Sequence, residues 1–153
     1  SATTMAIADD GQELAAGQYD LHVWDVASGQ ATRVPLDGAL LRGFGFVPGQ
    51  HGGLLVLDPW RVRLLERGTQ RPLWTQYGTF AVTSPDHVGV AATRERIAIA
   101  QREWIDIRTV DTGATVTRLA TKGLATSLSF SPDGTMLAAS EGDVVEVFCG
   151  PER

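Results

Sequence analysis

Leu128-Ser129-Phe130-Ser131-Pro132-Asp133-Gly134-Thr135-Met136-Leu137-Ala138-Ala139 is the stretch whose pattern decides the fold. Apolar residues alternate with small or polar ones on both sides of an Asp-Gly pair, as in a tight hairpin between two half-buried strands. The same pattern stands near the start, in Met5-Ala6-Ile7-Ala8-Asp9-Asp10-Gly11-Gln12-Glu13-Leu14-Ala15-Ala16, at a constant offset of 123 residues, or three periods of 41. Two more copies fill the interval. Ile7 corresponds to Phe46, Val90 and Phe130, at spacings of 39, 44 and 40. Val23 corresponds to Val62, Ile107 and Val147, at 39, 45 and 40. Two landmarks with nearly the same intervals point to a true repeat.

Each repeat reads as short strands a to d separated by turn residues. The first has Thr3–Ala8, Glu13–Gly17, Leu21–Val26 and Ala31–Leu36. The second has Arg42–Val47, Leu54–Leu57, Val62–Leu65 and Pro72–Gln76. The third has His87–Ala92, Arg96–Gln101, Ile105–Val110 and Thr115–Ala120. The fourth has Ser127–Ser131, Met136–Ser140 and Val144–Phe148. Gly11 and Gly134, each behind an Asp, supply the positive φ of a–b hairpins, and Ser28-Gly29, Arg67-Gly68 and Thr112-Gly113 serve c–d hairpins. The short apolar runs Leu40-Leu41 and Leu64-Leu65 also read as strand, and no window has helical periodicity.

Repeats of about 40 residues, each an antiparallel sheet of up to four strands, imply an all-β chain and a segment of a β-propeller. The blades fall at about 1–37, 38–78, 79–121 and 122–153, and the last lacks its outer strand. One reading of the ends is a strand exchange, with the missing outer strand and the upstream half of the propeller preceding Ser1, so that this is the C-terminal part of a larger ring. The other is an arbitrary cut at both ends. Either way the open edge along Val144–Phe148 and the uncovered flanks of blades one and four predict a segment that is weakly stable or oligomeric in isolation.

Composition narrows the function. A net charge of −5 gives no footprint for nucleic acid. A single cysteine, Cys149, excludes an internal disulfide and a Cys-based metal cluster. No apolar run is long enough to span a membrane as a helix. One Lys against twelve Arg suggests a bacterial, high-GC coding background, and the cysteine usage fits the cytoplasm. His22, His51 and His87 fall in unrelated contexts, so no catalytic pairing or metal-ligand spacing emerges, and no cofactor is expected.

Leu21-His22-Val23-Trp24-Asp25-Val26-Ala27-Ser28-Gly29 resembles strand c of a WD-repeat blade, and Ser127–Ser140 resembles strands a and b of the same family. The Trp-Asp dipeptide occurs once; Arg108-Thr109 and Phe148-Cys149 take its place elsewhere, and no Gly-His dipeptide precedes any strand a. The resemblance implies an intact ring of about seven blades (roughly four to eight). It also implies a non-enzymatic scaffold or sensor module that displays loops to other proteins within a larger, multidomain protein. The alternative is a propeller that supports or gates an enzymatic domain, or takes a small ligand in its central channel.

Trp24 and Asp25 read as structural, the indole packing between blades and the carboxylate satisfying backbone donors. Trp60 and Trp104 fall in b–c connections, Asp58-Pro59-Trp60-Arg61 and Arg102-Glu103-Trp104, matching Gln18-Tyr19-Asp20 and Glu141-Gly142-Asp143. The resemblance puts b–c loops on a partner-binding face. Tyr19, Asp20, Asp58, Trp60, Arg61, Arg102, Trp104 and Asp143 are therefore the candidate surface, rich in hot-spot residue types. The competing reading is that each Trp covers the end of its own blade. The long link Tyr77–Asp86 is either functional or a plain insertion.

Overall fold

Alternating side chains between Gly-centred turns give short antiparallel ladders, and the chain forms four of them in sequence. In the computed structural model, which describes residues 4–49, 52–80 and 87–150, the first sheet is β1 (Thr4–Ile7), β2 (Glu13–Gly17), β3 (Leu21–Asp25) and β4 (Ala31–Val34). The second is β5 (Gly43–Phe46), β6 (Gly53–Asp58), β7 (Arg61–Glu66) and β8 (Pro72–Tyr77). The third is β9 (Val90–Ala92), β10 (Arg96–Ala100), β11 (Trp104–Thr109) and β12 (Thr115–Ala120). The fourth is β13 (Ser127–Phe130), β14 (Met136–Glu141) and β15 (Val144–Cys149). Every sheet is a simple meander, and no helix occurs among the described residues.

The turns repeat down to single hydrogen bonds. Gly11 donates to the Ala8 carbonyl and Gly134 to the Ser131 carbonyl, both at 2.9 Å. Their φ values of 71° and 73° lie where a side chain would be strained. Behind them Asp10 accepts the Gln12 N–H and Asp133 the Thr135 N–H. At the same end of the b–c ladders of the first, third and fourth sheets, Val26, Val110 and Gly150 donate to the carbonyls of Gln12, Glu95 and Thr135.

Sequence and structure differ in places. The ladders align Ile7, Phe46, Ala92 and Phe130, each opposite the first apolar residue of strand b, so Val90 lies two positions further in on the same face. They align Val23 with Leu64, Ile107 and Val147, so Val62 is likewise two positions out. Trp24 does match Arg108 and Phe148. Leu40-Leu41 is not strand. Asp37 and Gly38 take positive φ and break the extended path, leaving Leu41 in the core and Leu40 in solvent. Strand a of the third sheet starts at Val90 rather than His87, because Gly89 donates to the Ala125 carbonyl ahead of the fourth sheet. Thr3, His51, Ala81–Asp86 within the long link, and the last three residues lie outside the described residues.

The chain divides into two compact units, Ser1–Phe80 and Ala81–Arg153. In the first, Ala15, Leu21, Val23 and Val34 of sheet one meet Phe44, Leu54, Val56 and Leu65 of sheet two, with Leu36 and Leu41 from the link between them. Each of the Val, Leu and Phe side chains among them gains about 1.5–3 kcal/mol from burial. In the second unit β9 lies against β13, and Gly89 is under Leu128 so closely that an added Cβ would stand 2.8 Å from its Cγ. Ile97, Ile99, Ile105, Ile107 and Leu137 are fully buried.

Candidate interaction surface

In the first unit the b–c turns and the link from sheet one to sheet two share an ion-paired frame. Asp58 closes β6 and is 1% exposed. Its Oδ1 accepts the backbone N–H groups of Trp60 (2.9 Å) and Arg61 (3.1 Å), and its Oδ2 accepts Arg61 Nε (2.7 Å). This carboxylate is used up internally. It shapes the turn and offers nothing to a partner, contrary to its place in the expected surface.

Arg61 opens β7, where a position in the connection was expected, and its Nη2 reaches the link, donating to Asp37 Oδ2 (2.9 Å) and the Leu36 carbonyl (3.4 Å). Burial alone would lower its pKa, but the hydrogen bonds it donates to Asp58 and Asp37 outweigh that and raise it. Two residues along the same strand, Arg63 donates to the Pro35 carbonyl at 2.9 Å; burial, then the like charge of Arg61, holds its pKa down.

This frame leaves large side chains in solvent. Tyr19, Leu40, Trp60 and Tyr77 are each more than half exposed. Trp60 sits on the turn that Asp58 fixes, and its carbonyl accepts the Gly78 N–H, bringing the end of β8 alongside. Tyr77 pairs with Arg61 across β7 and β8. Beside them lies an open groove of about 580 Å³, lined by Tyr19, Asp20, Arg33, Pro35, the link residues Leu36 to Ala39, and Leu40. Asp20 and Arg33 form an exposed pair at 2.8 Å on its rim.

Of the residues expected on a partner-binding surface, Tyr19, Asp20, Trp60 and Arg61 lie in this part of the first unit, together with Asp37, Leu40 and Tyr77, which the sequence did not single out. The Asp37-Gly38 dipeptide was the available signal for a bend in the link. The remaining predicted residues belong to the second unit. Arg102 is exposed in its turn, and Asp143 is exposed beside Gly142. Trp104 is the first residue of β11 rather than part of the connection, because its ladder pairing with Ala120 extends the strand. It is half-buried beneath the Arg118 guanidinium, 4.8 Å from the ring centre, and its Nε1 has no hydrogen-bond partner among the described residues. Arg118 and Arg108 both contact Asp106, which is buried.

The residues assigned structural roles divide. Asp25 accepts the Ser28 N–H at 2.8 Å, which lowers its pKa. Trp24 lies on the face of sheet one that turns away from sheet two; it is half-buried, with the His22 ring 5.9 Å away. Sheet two therefore does not cover it. At the opposite end of the first unit, Arg67 donates to both Asp10 oxygens (3.0 Å each) and to Glu13 (2.8 Å), and it lies 5.8 Å from the centre of the Phe46 ring. These hydrogen bonds, first that to Asp10, raise its pKa against burial. Among the described residues no His, Cys, Asp or Glu cluster could hold a metal ion, and no helix is long and apolar enough to cross a membrane.

No family model and no curated protein matches the chain. Among solved structures it is similar to a chain in the crystal structure of the mitotic checkpoint complex, at 17% identity and a TM-score of 0.77. The match covers 95% of this chain and 47% of that one, a WD40 β-propeller, so this chain spans about half its length. The fold is that of a β-propeller, in antiparallel sheets of three or four strands.

Proposed function

We propose that the chain is a non-enzymatic protein-interaction module, part of a larger scaffold or sensor protein, and that the surface of Tyr19, Leu40, Trp60 and Tyr77 receives its partner. The observation that carries this reading is the pairing of a rigid frame with exposed aromatics. Asp58, Arg61 and Asp37 fix the turn and link by side-chain bonds, so the aromatic groups are held out at little ordering cost. Aromatic anchors around polar, paired charges are the composition of interface hot spots. The fold likeness agrees with a binding role, because propellers commonly present such surfaces to other proteins. Arg102, Trp104 and Asp143 would extend the same type of surface on the second unit.

The test is affinity capture with the purified chain, comparing wild type with Trp60→Ala/Tyr77→Ala and with Glu95→Ala, an exposed change in the other unit. The reading expects specific partners to be retained by wild type and Glu95→Ala and lost from the double variant. If partners bind all three equally, the surface is misassigned.

A further inference from the structure

An Asp-Gly bond can rearrange without any enzyme, because the glycine has no Cβ to shield its nitrogen from the aspartyl side chain. The chain has three such bonds, Asp10-Gly11, Asp37-Gly38 and Asp133-Gly134, and no Asn that could enter the same reaction. The fold treats the three differently. At two of them both reacting groups are engaged. Gly11 and Gly134 donate their N–H groups to the carbonyls of Ala8 and Ser131, at 2.9 Å each. Asp10 accepts the Gln12 N–H and two nitrogens of Arg67. Asp133 Oδ1 accepts the hydroxyls of Ser131 and Thr135 and the Thr135 N–H. These bonds, first that from Arg67 to Asp10 and that from Ser131 to Asp133, lower both pKa values. Both carboxylates thus resist the protonation that would turn an oxygen into a leaving group.

Asp37-Gly38, in the link between β4 and β5, lacks this protection. Among the described residues the Gly38 N–H has no acceptor and Asp37 Oδ1 has no donor, while Oδ2 takes one bond, from Arg61. The Asp37 side chain is 68% exposed, and the space around Gly38 is open. Both residues have positive φ, 54° and 80°, which strains a residue that carries a Cβ. One backbone bond, from the Ala39 N–H to the Leu36 carbonyl, closes the turn.

We propose that Asp37-Gly38 is a site of spontaneous aspartate isomerisation, selected by the fold over the other two Asp-Gly bonds. The Gly38 nitrogen attacks Asp37 Cγ, and the new C–N bond closes a five-membered succinimide. The carboxyl hydroxyl leaves as water, taking the amide proton. Water then adds to the Asp37 main-chain carbonyl, and the bond from that carbon to the Gly38 nitrogen breaks. The main chain now runs through Cβ and Cγ of the former Asp37. One water leaves and one returns, so mass is unchanged and nothing is oxidised or reduced. The backbone gains a carbon, which relieves the positive-φ constraint. The carboxylate is left directly on Cα and loses the reach that puts it 2.9 Å from Arg61. One corner of the frame beside Tyr19 and Leu40 therefore loosens; this consequence, unlike the reaction itself, rests on the interaction surface proposed above.

The test ages the purified chain at neutral pH, native and in urea, and maps its peptides by electron-transfer mass spectrometry, which tells isoaspartate from aspartate. In the native chain isoaspartate is expected to form at Asp37 about tenfold or more faster than at Asp10 or Asp133, the factor that one protecting hydrogen bond supplies. In urea the three sites are expected to react at similar rates, because the protection belongs to the fold. The separated isoaspartyl form is expected to melt below its parent. Equal rates at the three sites in the native chain, or no reaction at Asp37, overturn the proposal. So does the same preference for Asp37 in urea, which would place the cause in the neighbouring sequence. Isoaspartate at Asp37 with partner capture unchanged would support the reaction while counting against the surface.

Discussion

Asp58→Ala tests whether the frame of the interaction surface is as tightly fixed as its geometry implies. The substitution removes the acceptor of three hydrogen bonds, from Trp60 N–H, Arg61 N–H and Arg61 Nε, at a residue that is 1% exposed. Arg61, itself mostly buried, keeps only Asp37 and the Leu36 carbonyl. Breaking one partner out of a buried ion pair costs about 3–5 kcal/mol. That is a large part of a domain's net stability of about 5–15 kcal/mol. For a unit of this size each kcal/mol moves the melting temperature by about 4–8 °C, so a fall of at least about 12 °C is expected. Asp58→Asn should cost less, about 1.5–3 kcal/mol, because its carbonyl oxygen still serves the two backbone donors while the charge-assisted bond to Arg61 is lost. Urea unfolding followed by tryptophan fluorescence gives both numbers. A loss under about 1 kcal/mol for Asp58→Ala would refute the reasoning, since three donors at a buried turn cannot lose their acceptor that cheaply.

Asp133 is held down to about 2, first by the Ser131 hydroxyl and then by the Thr135 N–H and hydroxyl. A depressed carboxylate stabilises the fold above its unfolded value and loses that contribution as pH falls through the folded one. A carbon-13 titration of Asp133 should therefore have its midpoint near 2, and Ser131→Ala should raise it; a midpoint near the ordinary value of about 3.9 contradicts the hairpin geometry. Gly89→Ala should destabilise the second unit by about 1–3 kcal/mol through overpacking against Leu128. Leu128→Ala in the same chain should make the alanine at 89 less costly, and strictly additive losses in that double variant would mean the two residues do not touch.

The strands were legible because their signal is local. Period-2 alternation and Asp-Gly or Ser-Gly turns need only neighbouring residues, and β2 and β12 keep the bounds read from the sequence. The candidate surface was half legible. Tyr19 and Trp60 announce themselves on turns, but Asp37 enters through an arginine 24 residues away, and Tyr77 through its pairing with Arg61. Trp104 was misplaced because its turn looked one residue longer than the ladder allows. Arg67 read as a turn residue, and its partners Asp10 and Glu13 lie more than fifty residues upstream. Which face of sheet one would be covered was not readable from alternation, because both faces are apolar; the burial of Ala15 and the exposure of Ile7 decide it.

Arg61, Arg63 and Arg67 follow one another along β7 and the turn after it, yet all three hold sheet one or the link that leaves it. Arg61 and Arg63 grip the link at one end of the ladder, and Arg67 grips the first hairpin at the other. Sheet one therefore cannot peel from sheet two starting at either end without first releasing a guanidinium. Repeat proteins often open one module at a time. Here the two sheets should open together, as one cooperative unit in native-state hydrogen exchange. Amides of β2 and β6 are expected to share one opening free energy, and added salt should bring β2 out of step by weakening the half-exposed Arg67–Asp10 pair first.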